Sequence, residues 1–132
     1  MGQPICPTQG IAFAFPDVCN TPTPGGPVPV PYPNIAQLSA AQDVATDLLL
    51  GPAGLNAVLQ DSFVQTSTGD EAGSAGGVTS GTIMGRCAVT GGSATVLYGG
   101  RGIARFGDPT TQNSRNATGQ LLGAFPTVLV GG

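Results

Sequence analysis

The stretch IAFAFPDVCNTPTPGGPVPVPYPN, residues 11–34, decides the fold. In residues 11–15, large and small apolar side chains alternate, and this pattern predicts a β-strand. The Pro16-Asp17 pair that follows is a turn signal, so we expect the strand to end there. The stretch therefore begins as a strand and continues as a stiffer segment.

That stiffer segment is set by proline, which occupies every second position from residue 27 to residue 33. Proline fixes φ, biases the preceding residue towards extended backbone and has no N–H to donate. Such a segment is extended, but as a central strand it would leave gaps in the hydrogen-bond ladder. We therefore interpret residues 21–34 as a structural strap on the surface of one domain.

The next segment, residues 35–50, is the best candidate for a helix. Asn34 can cap it, and Gln37 stands three residues later, as in a capping box. The helical spacing of apolar residues then fades, and residues 44–50 fit a strand that ends at Gly51-Pro52 equally well.

The second half of the chain is richer in strand signals. From residue 78, short apolar segments alternate with glycine turns, the Gly91-Gly92 pair fits a hairpin turn, and residues 125–132 predict a final strand. The predicted fold class is therefore mainly β: one small domain, residues 1–132, of short strands and Gly/Pro-rich turns with at most one or two short helices.

Charge is unusually scarce and excludes several functions. Charged residues make up 8% of the chain, against roughly 25% in a typical soluble domain. Four arginines and no lysine cannot neutralise a nucleic-acid backbone, so we expect no nucleic-acid partner. The chain has no histidine, which removes Ser-His-Asp and Cys-His catalysis, and we expect no enzymatic activity.

The three cysteines, Cys6, Cys19 and Cys87, leave three interpretations open. They are buried small hydrophobic residues, or a thiolate site for zinc or iron, or a Cys6–Cys19 disulfide with one free thiol. A disulfide requires an oxidising compartment. No basic segment precedes the first apolar run, so we expect synthesis in the cytoplasm without a signal peptide.

Two aspartates stand out in turn-forming contexts. Asp70 precedes Glu71 in the Gly/Ser-rich segment 69–81, and Asp108 opens the sequence Asp-Pro-Thr-Thr. Asp side chains often accept hydrogen bonds from the N–H groups that follow them, so we expect Asp70 and Asp108 to close turns.

Four segments in order, FPDVCNTP, GPVPVPYPN, STGDEAG with GVTS, and RFGDPTTQN, resemble the PAAR-like proteins. They span most of residues 13–113. The resemblance implies a small cone-shaped domain at the tip of the spike of a contractile injection machine: a type VI secretion system, an extracellular injection particle or a contractile phage tail. The related PAAR proteins hold zinc near the apex through His and Cys.

This chain departs from that pattern at the positions where the late motif usually carries histidine. Phe106, Gln112 and Ser114 stand there instead. We expect either a thiolate site built from the three cysteines or packing in place of the metal. In the second case, Phe106 would bury apolar surface worth about 1.5–3 kcal/mol.

The resemblance implies a mechanical role. The chain would cap a trimeric β-helical spike, of the valine-glycine-repeat type or a phage spike, with one copy per trimer. It would touch the target membrane transiently and reach the outside or the target cell with the spike. Its structural residues would be Pro27, Pro29, Pro31 and Pro33 in the strap and Asp70 and Asp108 in the turns. No effector domain is expected. The alternative is a small secreted or surface β-module with the Cys6–Cys19 disulfide.

Overall fold

The computed structural model describes residues 2–131 and is mainly β, which confirms the predicted fold class. The strands are β1 (Gln3–Ile5), β2 (Ile11–Thr21), β3 (Val28–Gln37), β4 (Ala45–Leu50), β5 (Leu55–Ala57), β6 (Phe63–Val64), β7 (Gly76–Gly77), β8 (Cys87–Val89), β9 (Leu97–Tyr98), β10 (Arg101–Gly102), β11 (Pro109–Gln112), β12 (Ala117–Leu121) and β13 (Phe125–Val130). In the described range, the only helix is a 3₁₀ turn, Leu38–Ala40, and no helix is long and apolar enough to cross a membrane.

The strands form two kinds of sheet. The main sheet has the order β3-β2-β12-β11-β8-β6, and β7 pairs with the far end of β2. Three separate two-stranded antiparallel sheets, β1–β13, β4–β5 and β9–β10, are called the ribbons below. All the pairings are antiparallel, and most join strands that are distant in sequence.

The first predicted strand is longer than the sequence suggests. It does not end at Pro16-Asp17 but continues to Thr21, with a register shift between Ala14 and Asp17. There, two residues of β2, Phe15 and Pro16, lie opposite one residue of β3, Pro33. The predicted turn is wrong because a bulge absorbs the proline within the strand.

The predicted helix over residues 35–50 is also wrong. The start of the segment completes β3, and Gln37 makes no capping hydrogen bond. The Asn34 side chain does not cap a helix either, because it is buried in hydrogen bonds with distant residues. The alternative strand is confirmed by β4, Ala45–Leu50.

The second half also differs in its turns. The hairpin turn is not Gly91-Gly92 but Gly99-Gly100, which joins β9 to β10 and has positive φ at both residues (59° and 84°). Glycine adopts this conformation without steric penalty, as a two-residue hairpin turn of this type requires. Residues 78–85 form turns rather than a strand, whereas the final strand is confirmed as β13.

The interior is divided into two adjoining apolar clusters. The ribbon core consists of Ile5, Ala45, Leu50, Ala57, Leu59, Ile103 and Val130. The central core consists of Cys6, Ala12, Ala36, Leu38, Val58, Val64, Cys87, Val89, Ala104 and Leu121. Sequence neighbours link the two, since Ile5 lies in one and Cys6 in the other, and Ile103 and Ala104 divide in the same way. The central core therefore lies between the ribbons and the remaining length of β2 and β3.

Candidate functional site

Beyond the central core, β2 and β3 carry polar side chains into the interior. Asp17, Asn34, Ser67, Asp70 and Asn113 are all buried with 0% exposure. With Cys19, Gln112 and Asn116 they form the polar cluster. Its members come from β2, β3, β11 and the loops that follow Val64 and Gln112, so only the complete fold brings them together.

Asp17 is the main acceptor of the cluster. Its Oδ1 accepts hydrogen bonds from the side-chain amides of Asn113 (3.2 Å) and Asn116, and its Oδ2 accepts one from Asn34 Nδ2 (3.2 Å). Burial alone would raise the pKa of Asp17. The hydrogen bonds, including one with Asp70, outweigh burial and hold this pKa below its ordinary value. Asp17 is therefore the ionised carboxylate of the cluster.

Asp70 behaves in the opposite way. Its Oδ1 accepts a hydrogen bond from the Met84 backbone N–H (3.0 Å), and its Oδ2 lies 3.4 Å from Asn34 Nδ2. Burial, followed by the hydrogen bond with Asp17, raises the pKa of Asp70 to about 6. Two buried carboxyl groups this close favour one shared proton, and below about pH 6 Asp70 is the group that carries it.

The orientation of Asn34 is set by Gln112. Gln112 Nε2 donates to Asn34 Oδ1 (2.8 Å) and to the Asn34 backbone carbonyl (2.9 Å). The Asn34 oxygen is thus engaged, and its Nδ2 is directed towards Asp17, Asp70 and Ser67 Oγ (2.9 Å). Gln112 therefore positions the amide that donates hydrogen bonds to the two carboxyl groups.

The loop between β11 and β12 supplies the other two amides. Asn113, Ser114 and Arg115 have positive φ values of 49°, 54° and 73°, so the chain turns sharply there. Asn116 then reaches Asp17 with Nδ2 and accepts hydrogen bonds from the Thr79 and Ser80 backbone N–H groups at Oδ1 (2.8 and 3.1 Å). The turn thus connects the polar cluster to the loop over residues 78–81.

Comparison with known proteins identifies the family of this chain. A family model described as Toxin PAAR-like domain matches residues 10–119, which include the polar cluster and the strap. The chain belongs to the Toxin PAAR-like domain family. Among curated proteins it is similar to the DNase toxin Tse7 of Pseudomonas aeruginosa, with 34% identity over 112 residues. The matched stretch covers 80% of this chain but 29% of that relative. No solved structure matches the chain.

The PAAR resemblance implies zinc, and the polar cluster is where its residues can be tested. Ligand atoms of Asp17, Cys19 and Asp70 lie within 4.8 Å of one another, the one such group in residues 2–131. However, amide and backbone N–H donors already occupy the carboxylate oxygens, and Gln112 donates where the family has histidine. These residues do not fit a zinc ion, because the lone pairs that would bind it face hydrogen-bond donors instead.

The three cysteines are not brought together. Cys6 and Cys87 lie in the central core, whereas Cys19 lies in the polar cluster, and all three are buried and free. Burial raises the pKa of each thiol to about 12, and for Cys19 the neighbouring carboxylates Asp17 and Asp70 add to the effect. The predicted three-cysteine site and the alternative Cys6–Cys19 disulfide are therefore absent from this fold, and the buried hydrophobic interpretation describes Cys6 and Cys87.

The strap prolines and the two turn aspartates named from the sequence occupy different structural settings. Pro29, Pro31 and Pro33 lie in the exposed edge strand β3, and Pro27 precedes it. Asp70 serves the buried cluster rather than a local turn. Asp108 does close a turn, but it accepts from the preceding Arg105 N–H (2.8 Å) and guanidinium, not from following N–H groups.

The three residues that stand where the PAAR-like late motif usually carries histidine have different surroundings from one another. Phe106 is 42% exposed, so it does not replace a metal by apolar burial. Ser114 Oγ accepts from the Arg86 N–H, and only Gln112 enters the cluster. Sequence reasoning missed Asp17, Asn113 and Asn116 as site residues. A usable signal was present, because Asp17 and Cys19 are two residues apart and therefore share one face of a strand.

At the other end of this PAAR-like domain, the three ribbons share one construction. In each ribbon, one strand also pairs with a segment outside the ribbon. Ile5 of β1 bridges to Arg105, and Ala57 of β5 bridges to Pro7. The Gly102 carbonyl of β10 accepts a hydrogen bond from the Gln60 N–H. The other strand, β13, β4 or β9, has no second strand partner within residues 2–131. Each of these outer strands carries one highly exposed leucine: Leu129 (62%), Leu49 (60%) and Leu97 (55%).

Polar contacts hold the ribbons to one another. The Tyr98 hydroxyl accepts from the Asp47 N–H (3.1 Å), joining β9 to β4. Arg101 donates to the Asp43 carboxylate and carbonyl (both 3.0 Å), which fixes β10 beside the start of β4. Ser93 Oγ donates to the Gly131 carbonyl, next to β13. These contacts connect the three ribbons, and their outer strands together are called the ribbon face.

Proposed function

We propose that this PAAR-like domain is the non-enzymatic tip of a contractile injection machine and caps a trimeric β-helical spike through its ribbon face. The observation that carries the proposal is the ribbon face itself. Three outer strands, each with an unpaired edge and an exposed leucine, surround one apolar core. A trimeric β-helix ends in three chains, so each ribbon has one chain to meet.

Two physical terms favour this docking. An unpaired strand edge presents N–H and C=O groups that another strand can satisfy by strand addition. The exposed leucines Leu49, Leu97 and Leu129 would also leave water, and burying each is worth about 1.5–3 kcal/mol. Because the two terms act at the same three strands, the ribbon face offers a partner both exposed apolar side chains and unpaired backbone groups.

The opposite end supports a purely mechanical role. Its polar cluster is fully bonded, since residues 2–131 contain no buried side-chain nitrogen or oxygen without a hydrogen-bond partner. Cross-linking of β2, β3 and distant loops by such a network makes this end rigid. A rigid end opposite a docking face suits a tip that is driven through a target envelope and touches the membrane transiently.

The proposal includes where the protein acts. It would be made in the cytoplasm, assembled on a spike, and carried outside or into a target cell with it. Type VI secretion is the favoured machine because of the family. The valine-glycine-repeat spikes of such systems are therefore the partners to test before phage spikes.

The stoichiometry provides the test. Native mass spectrometry of the chain mixed with a panel of recombinant trimeric valine-glycine-repeat spike proteins is expected to give complexes with one copy per trimer. A complex with three copies per trimer would contradict the pseudo-threefold use of the ribbon face. If the chain bound neither a spike protein of the panel nor a phage spike, the capping role would be contradicted.

The DNase name of the relative defines the alternative to a non-enzymatic tip. In this chain, the two clustered carboxylates Asp17 and Asp70 are 0% exposed, so a phosphodiester cannot reach them. Plasmid DNA incubated with the purified chain and Mg²⁺ or Mn²⁺ is expected to stay intact. Cleavage by the wild-type chain that is lost in the Asp17→Asn variant would overturn this part of the proposal.

A further inference from the structure

The proline strand β3 has two edges with different backbone chemistry. Its inner edge pairs with β2, where Ile35 lies opposite Phe13. The Ile35 N–H nevertheless donates to the Thr68 carbonyl (2.8 Å), and the Thr68 N–H donates back to the Ile35 carbonyl (2.8 Å). Ile35 therefore directs both of its backbone groups away from β2, towards the outer edge.

Strand geometry shows that the prolines of β3 also direct their backbone groups towards the outer edge. Backbone groups of alternate residues in a strand face the same edge, and the bulge of this pair lies in β2, so β3 alternates without interruption. Residues 33, 31 and 29 therefore face outward like Ile35. All three are proline.

Strand β2 gives an independent check of this orientation. Val18 and Asn20 lie opposite Pro31 and Pro29. Their carbonyls accept hydrogen bonds from the Val78 N–H (3.0 Å) and the Ala75 N–H (3.0 Å), on the side away from β3. These two register pairs are thus the non-hydrogen-bonded kind, in which both partners direct their backbone groups away from each other.

We propose that the outer edge of β3 is closed to strand addition, because from residue 29 to residue 35 it presents carbonyl groups but no free N–H. Proline occupies three of the four outward positions, and the fourth, Ile35, is already paired with Thr68. An added strand needs donors as well as acceptors, so neither a second copy of this chain nor any other β-strand fits this edge.

Closure matters here because the strap would otherwise favour aggregation. It is extended and exposed, Val28 is 45% exposed, and the chain has few charges that keep copies apart. Strand addition is thereby restricted to edges elsewhere on the molecule, such as the ribbon face. The closure itself does not depend on the proposed spike partner.

The double variant Pro29→Val/Pro31→Val tests this directly, since it adds two outward N–H groups to a strand that is already extended. The matched control is Pro22→Val/Pro24→Val, which makes the same replacements in the connection before β3. By analytical ultracentrifugation over a concentration series, we expect the β3 variant to self-associate more strongly than the wild type. The control variant is expected to behave like the wild type.

Amide hydrogen exchange identifies the edge involved. In dilute β3 variant, the new amides at 29 and 31 should exchange as unprotected groups, and association should slow them at least about tenfold. Protection of these amides in the dilute monomer would place them on the inner edge and overturn the proposal. A folded variant that shows no added self-association would overturn it as well. Pro31→Val alone, with one new N–H, provides the same readouts if the double variant does not fold.

Discussion

The two ends of this PAAR-like domain are stabilised by different interactions. The ribbon end packs apolar side chains around Leu50, Leu59 and Ile103, and among residues 2–131 three of its strand edges have no partner. The polar end buries two carboxyl groups among amides, and the proline strand beside it has a closed edge. Apolar packing can continue into a partner, whereas a satisfied polar network cannot, and this difference is the reason we propose that the ribbon end docks.

The largest expected effect is on assembly. The triple variant Leu49→Asp/Leu97→Asp/Leu129→Asp places charges on all three outer strands, and we expect spike affinity to fall at least about 100-fold, because charge in an apolar interface centre is strongly unfavourable. The free energy of unfolding should change little, since all three side chains are exposed. Isothermal titration calorimetry and urea unfolding measure the two quantities.

A matched control for this variant lies at the polar end. Val78 is 57% exposed and lies in the loop bonded to Asn116. The Val78→Asp variant should bind the spike like the wild type. Equal losses of affinity in both variants would mean that the ribbon face is not the docking surface.

The next largest effect concerns the stability of the polar end. Asp17→Ala removes one hydrogen-bond acceptor from each of the side-chain amides of Asn34, Asn113 and Asn116, which keep their other acceptors. Each buried N–H that loses its partner in this way costs about 1–3 kcal/mol. We expect a loss of about 3 kcal/mol or more in the free energy of unfolding, measured by urea denaturation. Asp47→Ala in the exposed part of β4 is the control, with an expected change of about 0.5 kcal/mol or less. Similar losses in both would remove the distinction between the two ends.

The smallest effect is the pH dependence contributed by Asp70. Its pKa is raised from 3.8 to about 6, so the folded state holds a proton that the unfolded state has released. The bound proton contributes its full stabilisation below the pKa that Asp70 has in the unfolded chain, and this stabilisation is lost as pH rises through the pKa in the folded state. The free energy of unfolding should therefore fall from about pH 4 to pH 6. The lowered pKa of Asp17 has its effect below that window.

Asp70→Asn keeps a neutral side chain in the cluster at every pH. We expect the variant to lose most of the fall in urea midpoint between about pH 4.5 and pH 7 that the wild type exhibits. Asp47→Asn should retain the fall. An undiminished fall in the Asp70→Asn variant would show that another group carries the proton.

Local sequence signals identified the strap, the final strand and the fold class because proline and glycine restrict the backbone wherever they stand. They failed where distant residues decide the outcome. Asn34 was expected to cap a helix, but its side chain bonds Gln112, which lies 78 positions later. A local capping preference of about 1 kcal/mol does not outweigh a buried network of this kind.

The same limit applies to the candidate site. The sequence named Asp70 and Cys19 separately, but only the fold brings them together with Asp17. The ribbon face was equally hidden, because its strands β4, β9 and β13 have short, unrelated sequences. Neither feature has a local pattern, since each depends on antiparallel pairing between segments far apart in the chain.

Hydrogen exchange of the chain with and without a trimeric spike tests the ribbon face most directly. Amides of β4, β9 and β13 should become protected when the spike is added, whereas those of residues 28–34 and 69–81 should exchange as in the free chain. Protection confined to the strap and the polar end, with the ribbons unchanged, would contradict the account.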